Sequence, residues 1–187
     1  MATLLDRAFG AARLDVATYE EVEHDPSALG QAMTVVVVAA LAAGIGAGTQ
    51  HGLGPLALAA SVVGNLAAWF VWAGVVYLVG TRLLPTPDTK ADLGQLLRTT
   101  GFSAAPGVFA VAGFVPVVGV PVVVAAGLWQ LATMVVAVRQ ALDYTSTGRA
   151  IAVCAIGFVA YVLVGVVVVA ACVGSLAAGG SGAGAIG

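Results

Sequence analysis

Within six residues, Glu20 to Asp25, the chain carries four acids and a histidine: Glu20, Glu21, Glu23, Asp25 and His24. Glu21 and His24 stand in the Glu-x-x-His spacing that sets two ligands on one helix face, and Glu20 is one turn from His24. A metal there needs ligands from other elements, and Asp88, Asp92 and Asp143 are the acids left to supply them. The other histidine, His51, falls beyond a long apolar stretch and on the opposite side of a membrane from His24. The chain has no phosphate-cradling glycine loop, no Gly-x-Ser-x-Gly elbow, no His-Glu-x-x-His pair and no paired-cysteine motif. The residue types therefore point to surface electrostatics rather than catalysis. Glu20, Glu21, Glu23, Asp88 and Asp92 form a candidate partner surface, and no catalytic residue, metal or cofactor is expected.

A second set lies in apolar sequence. Asn65, Trp69 and Trp72 follow i, i+4, i+7 spacing on one helical face, and Gln130 and Thr133 share another. Together they are a candidate intramembrane polar cluster, read either as hydrogen bonding between helices or as the lining of a small polar cavity. No Asp, Glu, Lys, Arg or His falls inside any expected span, Arg139 standing only at the last position of the fourth, which argues against a proton- or ion-coupled carrier and against a voltage sensor.

The elements that would position these residues follow from charge. Of 187 residues, 60% are hydrophobic and 9% charged, against about a quarter charged in soluble domains, so the chain belongs in a membrane. All formal charges fall in three islands, 1–25, 82–98 and 139–149, separated by uncharged stretches 26–81, 99–138 and 150–187. A crossing of ~30 Å of hydrocarbon takes about 20 helical residues. The first two stretches are each long enough for a helical hairpin, broken at "GTQHGLGP" (48–55) and "FVPVVGVP" (114–121) by glycine and proline. The third holds one helix.

The expected spans are 28–48, 56–81, 102–117, 119–139 and 150–175, with Pro106 inside the short third one. The domains are 1–27, an amphipathic helix and acidic lead-in; 28–175, the membrane domain; and 176–187, a flexible Gly/Ser-rich tail. Two spans per hairpin put every Lys and Arg on one side, which the positive-inside rule makes the cytoplasm. The expected fold class is an all-α membrane protein with five transmembrane helices, N-terminus cytoplasmic and C-terminus outside, in the cytoplasmic membrane.

Smaller signals refine this. Residues 3–14 place Leu4, Leu5, Ala8, Phe9 and Ala12 on one face with Arg7 and Arg13 towards the other, as in a helix lying on a membrane or against the protein's own loops. Asp25-Pro26 is a helix start. Asp88 or Thr89 is expected to cap a helix running to about Thr100, with Leu93, Leu96 and Leu97 as its apolar stripe. Small residues repeat at Ala40, Gly44 and Gly48, and at Ala60, Gly64 and Ala68, and favour close helix contact. Cys154 and Cys172 are too far apart on one helix to pair, about 27 Å at ~1.5 Å per residue.

Four stretches resemble the Yip family of small five-span membrane proteins, in its short prokaryotic form: "AARLDVATYEEVEHDPSALGQAM", "GTRLLPTPDTKADLGQLLRTTGFSAAPGV", "FVPVVGVP" and "LWQLATMVVAVRQAL". The likeness covers about residues 8 to 172. It implies a five-helix fold with a cytoplasmic N-terminus. The acidic cluster and the absence of other chemistry point to a non-enzymatic, membrane-organising or scaffold role. Eukaryotic relatives bind Rab GTPases and pair with other Yip members. The family offers no catalytic set to carry onto this chain. The partners expected are the lipid bilayer and a second copy or another membrane protein, with no nucleic acid. The alternative is a channel or permease for a neutral or lipidic solute.

Overall fold

The computed structural model describes the backbone of residues 2–51 and 54–182, with side-chain surroundings for 2–48 and 54–166. The side chains of His51 and Cys172 and the last five residues of the tail lie outside that description. Among the described residues all regular secondary structure is helical, with no strand. In order they form α1 (Leu4–Ala12), α2 (Val16–His24), α3 (Ala28–His51), α4 (Pro55–Leu78) with a π-helical turn (Val79–Leu83), α5 (Leu93–Phe102), a 3-10 helix (Ala105–Phe114), α6 (Gly119–Ala141) and α7 (Thr147–Gly182). Four helical stretches are long and apolar enough to cross a membrane: Ala28–Gly48, Pro55–Leu83, Gly119–Ala141 and Thr147–Val166. The chain is thus a polytopic helical membrane protein.

Over the expected third span, 102–117, the described residues show no single helix long enough to cross a membrane. That stretch is the end of α5, a turn, and the shorter apolar 3-10 helix Ala105–Phe114. Pro106 supplies no N–H, and at ~2.0 Å per residue the 3-10 helix is only about 20 Å long. The preceding helix is also shifted. It begins after Asp92, not Asp88 or Thr89. The Asp92 carboxylate accepts from the Gln95 N–H at 2.8 Å while the Gln95 side chain accepts from the Asp92 N–H at 2.6 Å, a reciprocal capping box. Thr89 instead spends its hydroxyl on the Thr86 N–H, at 3.0 Å. At the far end, α7 continues to Gly182, past the expected boundary at 175.

The start of α3 follows the Asp25-Pro26 signal. The Asp25 carboxylate accepts from the Ser27 N–H at 2.9 Å and its carbonyl from the Ala28 N–H at 2.9 Å. An element absent from the sequence reading is α2. It is capped by Asp15, whose carboxylate accepts from the Thr18 N–H and hydroxyl, and it turns Tyr19, Val22 and Glu23 inward on one face.

α5 is the buried axis of the bundle. Every residue from Leu96 to Ser103 is buried, among α2, α3, α4 and α6. The 3-10 helix packs along α3 through backbone contact. A Cβ on Gly46 would overlap the Ala110 carbonyl oxygen, and one on Gly113 would lie 3.0 Å from the Gly46 carbonyl. Of the expected small-residue stripes, Ala40 and Gly44 do meet α4, with the Ser61 hydroxyl donating to the Ala40 carbonyl at 2.9 Å. Gly64 faces open space. The hairpin turn closes at Val117, which has φ 68°, with the Val118 N–H donating to the Pro116 carbonyl at 2.8 Å. Gly46→Ala is expected to cost about 1–3 kcal/mol through this overlap. Gly64→Ala should leave stability unchanged or slightly higher. Thermal unfolding of the two purified variants in one detergent checks both.

Candidate functional site

The three charged islands, far apart in sequence, meet at one end of the bundle. Arg7 of α1 is only 4% exposed, although the amphipathic pattern puts it on the outer face. The burial has a chemical cause: each of the three guanidinium nitrogens has an acceptor. The guanidinium donates to Glu21 Oε1 through Nε and Nη2 at 3.2 and 2.8 Å, to Asp25 Oδ2 at 2.6 Å and to Gln31 Oε1 at 3.0 Å. Those contacts raise its affinity for the proton, the Glu21 hydrogen bond most. Leu5 and Phe9, on the other side of α1, are 65% and 63% exposed.

Arg98 of α5 is buried without a carboxylate bond. Its Nε donates to the Val22 carbonyl at 3.0 Å and the Glu23 carbonyl at 3.2 Å, and Nη2 also donates to Glu23 O. These are last-turn carbonyls of α2, which no helical N–H reaches, so a buried cation caps the negative end of that helix. Tyr19 pins the middle of α2, its hydroxyl 3.1 Å from the Ala11 carbonyl and 3.3 Å from the Thr133 carbonyl. Burial pushes its phenol up.

The candidate acids occupy different positions. Glu20 is exposed and accepts from Gln140 Nε2 at 3.2 Å. Glu21 is held by Arg7. Glu23 is 3% exposed and accepts from Gln95 Nε2 at 3.1 Å. Asp92 caps α5, and Asp88 is exposed in the loop before it. A partner docking on this face would therefore reach Glu20, Glu21, Asp88 and Asp92, with Glu23 turned into the protein. Burial, and then the like charge of Asp143, push the Glu23 carboxyl up from an ordinary 4.5 to about 7, against smaller downward pulls from His24 and Arg98. Among the described residues, no group of three His, Cys, Asp or Glu side chains could hold a metal ion.

The intramembrane candidates do converge. Asn65, Trp69, Trp72 and Gln130 line one cavity of about 290 Å³ at the middle of the bundle, together with Thr100 and Tyr161. Asn65 Nδ2 donates within its own helix, to the Ser61 carbonyl at 2.9 Å, so it makes no hydrogen bond to Gln130. The tryptophans are the cross-helix links. Trp69 Nε1 donates to Thr100 Oγ1 at 3.2 Å and Trp72 Nε1 to Met134 Sδ at 3.2 Å. Thr133 lies outside the lining, buried, with its hydroxyl 2.8 Å from the Ser103 carbonyl and 2.9 Å from that of Gln130. Sequence reasoning does not find Arg7 and Arg98 as buried clasps. Their signal is a lone Arg on each of two short amphipathic helices. Nor does it find Thr100 and Tyr161, which carry no pattern of their own.

A helical membrane protein with a charged clasp at one end and a largely apolar cavity edged by a few polar side chains is the class this arrangement defines. The Yip1 domain model matches residues 15–169, and the chain belongs to that family. Searches of curated proteins and of solved structures return no match.

Arg98→Ala should destabilise the protein by about 2–3 kcal/mol, because it orphans two buried carbonyls. Arg98→Lys should recover little, since an ammonium cannot fork across both. Unfolding in detergent measures each. Glu23 holds its proton more tightly folded than unfolded. Its contribution to stability is therefore full below about pH 4.5 and declines as pH rises to about 7, by at most ~3 kcal/mol. Glu23→Gln should flatten that segment of the melting-temperature profile against pH.

Proposed function

We propose that this Yip1-family chain is a non-enzymatic membrane-organising module, acting through self-association or a protein partner on its charged face. In this reading it sits in the cytoplasmic membrane with the charged end inside, the N-terminus in and the C-terminus out. The third of its five membrane segments is the 3-10 helix with its apolar turn. The observation that carries the reading is the meeting of the three charged islands at one end. Lys90 N–H reaches Asp143 Oδ2 at 3.4 Å, Arg149 Nη1 reaches the Pro85 carbonyl at 3.1 Å, and Glu23 meets Gln95. Lys and Arg gathered on one side mark the cytoplasm.

Cysteines placed by Ser146→Cys and Val117→Cys test the topology with a membrane-impermeant maleimide. Val117→Cys should label in intact cells and Ser146→Cys only after permeabilisation; the reverse pattern would overturn the orientation. The contact surface is tested by reversing exposed acids that hold no buried cation. Glu20→Lys with Asp88→Lys should leave the melting midpoint unchanged and abolish cross-linking between copies or to a co-purified partner. Undiminished cross-linking would sink the acidic-face assignment.

A second reading, a channel or permease for a neutral solute, is favoured by the cavity that Asn65 and Gln130 line. Under it, Asn65→Leu with Gln130→Leu should reduce solute flux into proteoliposomes while leaving cross-linking intact.

A further inference from the structure

α1 forms a bar with an apolar groove along each side. One, of about 270 Å³, lies between α1, the 3-10 helix and α6, and is walled by Leu5, Phe9, Pro106, Phe109 and Trp129. The other, of about 210 Å³, lies between α1, α3 and the 3-10 helix, against Leu4, Val35 and Val38. Leu5, Ala8 and Val108 border both. The walls are held in place: Phe109 and Trp129 stack at 5.8 Å with planes 21° apart, and Trp129 Nε1 donates to the Ala12 carbonyl at 2.7 Å.

The polar chemistry at the C-terminal end of α1 is one-sided. The last-turn carbonyls that would repel an anion are occupied. The Phe9 and Gly10 carbonyls accept from the Arg13 N–H, that of Gly10 also from the Asp15 N–H, that of Ala11 from the Leu14 N–H and Tyr19 hydroxyl, and that of Ala12 from Trp129. Arg13 lines the first groove, is exposed, and forms no salt bridge with any described carboxylate. Arg7, by contrast, has both Glu21 and Asp25.

We propose that α1 is a lipid clamp. One anionic phospholipid straddles it, with an acyl chain in each groove and its phosphate on the Arg13 guanidinium. The two grooves on either side of a single bar match a two-chained amphiphile. An unpaired cation beside an indole at a helix end matches its headgroup level. An apolar protein segment would leave the cation unanswered. The proposal needs the chain to be membrane-embedded but is independent of the partner role proposed above.

Native mass spectrometry of the full chain released from nanodiscs tests it, with phosphatidylglycerol and phosphatidylcholine as the two probes. Wild type should retain one phosphatidylglycerol in preference to phosphatidylcholine. Arg13→Gln should lower that preference about five-fold, as one interfacial cation is worth, and Arg149→Gln should leave it within two-fold. Equal retention of the two lipids by wild type, or an unchanged preference in Arg13→Gln, would overturn the proposal. A second measurement does not depend on any variant's affinity. Phosphatidylglycerol brominated on its acyl chains should quench wild-type tryptophan emission, and Trp129→Phe should remove most of the quenchable part. Quenching that survives Trp129→Phe undiminished would place the lipid elsewhere. Because neither readout involves a partner, a failure here is distinct from a failure of the acidic-face assignment.

Discussion

A guanidinium cannot lose its charge at any pH a cell reaches, so burying one obliges the surroundings to supply acceptors. This protein buries two, Arg7 and Arg98, and both find their acceptors on or just beyond α2. Arg7 ties α1 to Glu21, Asp25 and Gln31, and Arg98 ties α5 to the last carbonyls of α2. The short helix α2 is therefore the part on which α1, α5 and the start of α3 are all registered. The cavity above depends on it in turn. Thr100, two residues beyond Arg98, is the acceptor that holds Trp69.

Above this clasp the constraint changes from charge to backbone. The 3-10 helix approaches α3 so closely that Gly46 and Gly113 have no room for a Cβ beside the facing carbonyls. The 114–121 turn limits its own backbone demand by using Pro116 and Pro121, which bring no N–H, and by closing Val118 and Gly119 onto the Pro116 and Val115 carbonyls. The same close approach sets the 3-10 helix beside Gln130: a Cβ on Gly107 would lie 3.2 Å from Gln130 Oε1.

These two layers divide the functional readings. The charged end holds the groups that could meet a protein, and its exposed acids are those not consumed by the clasp. The middle holds a cavity whose amides are only partly engaged. The outer side of α1 holds an apolar surface with a single unpaired cation. Family membership is compatible with each, because the Yip1 domain match runs from residue 15 to 169, across α2 to α7, and singles out no site; α1 lies before it.

Much of the architecture was legible in the chain. The absence of charge over long stretches dictates helices buried in hydrocarbon, and the parity of those stretches predicts that the islands meet, as they do. The i, i+4, i+7 spacing of Asn65, Trp69 and Trp72 was enough to place them on one wall. What failed were positions where local pattern and tertiary partner disagree. Amphipathicity sends Arg7 to water, but three acceptors from outside its own helix draw it inside. Hydropathy reads 102–117 as one helix, but Pro106 and the close contact with α3 divide it into the end of α5 and a short 3-10 helix. Glu20, Glu21 and Glu23 read as one surface, but folding separates them: Glu21 neutralises Arg7, Glu23 is buried against Gln95 and Glu20 is left facing water. Composition and periodicity determine which segments leave water, because transfer free energy is a property of each segment alone. Which polar groups leave with them is decided only in three dimensions, because a hydrogen bond needs its partner at a distance that sequence spacing does not encode.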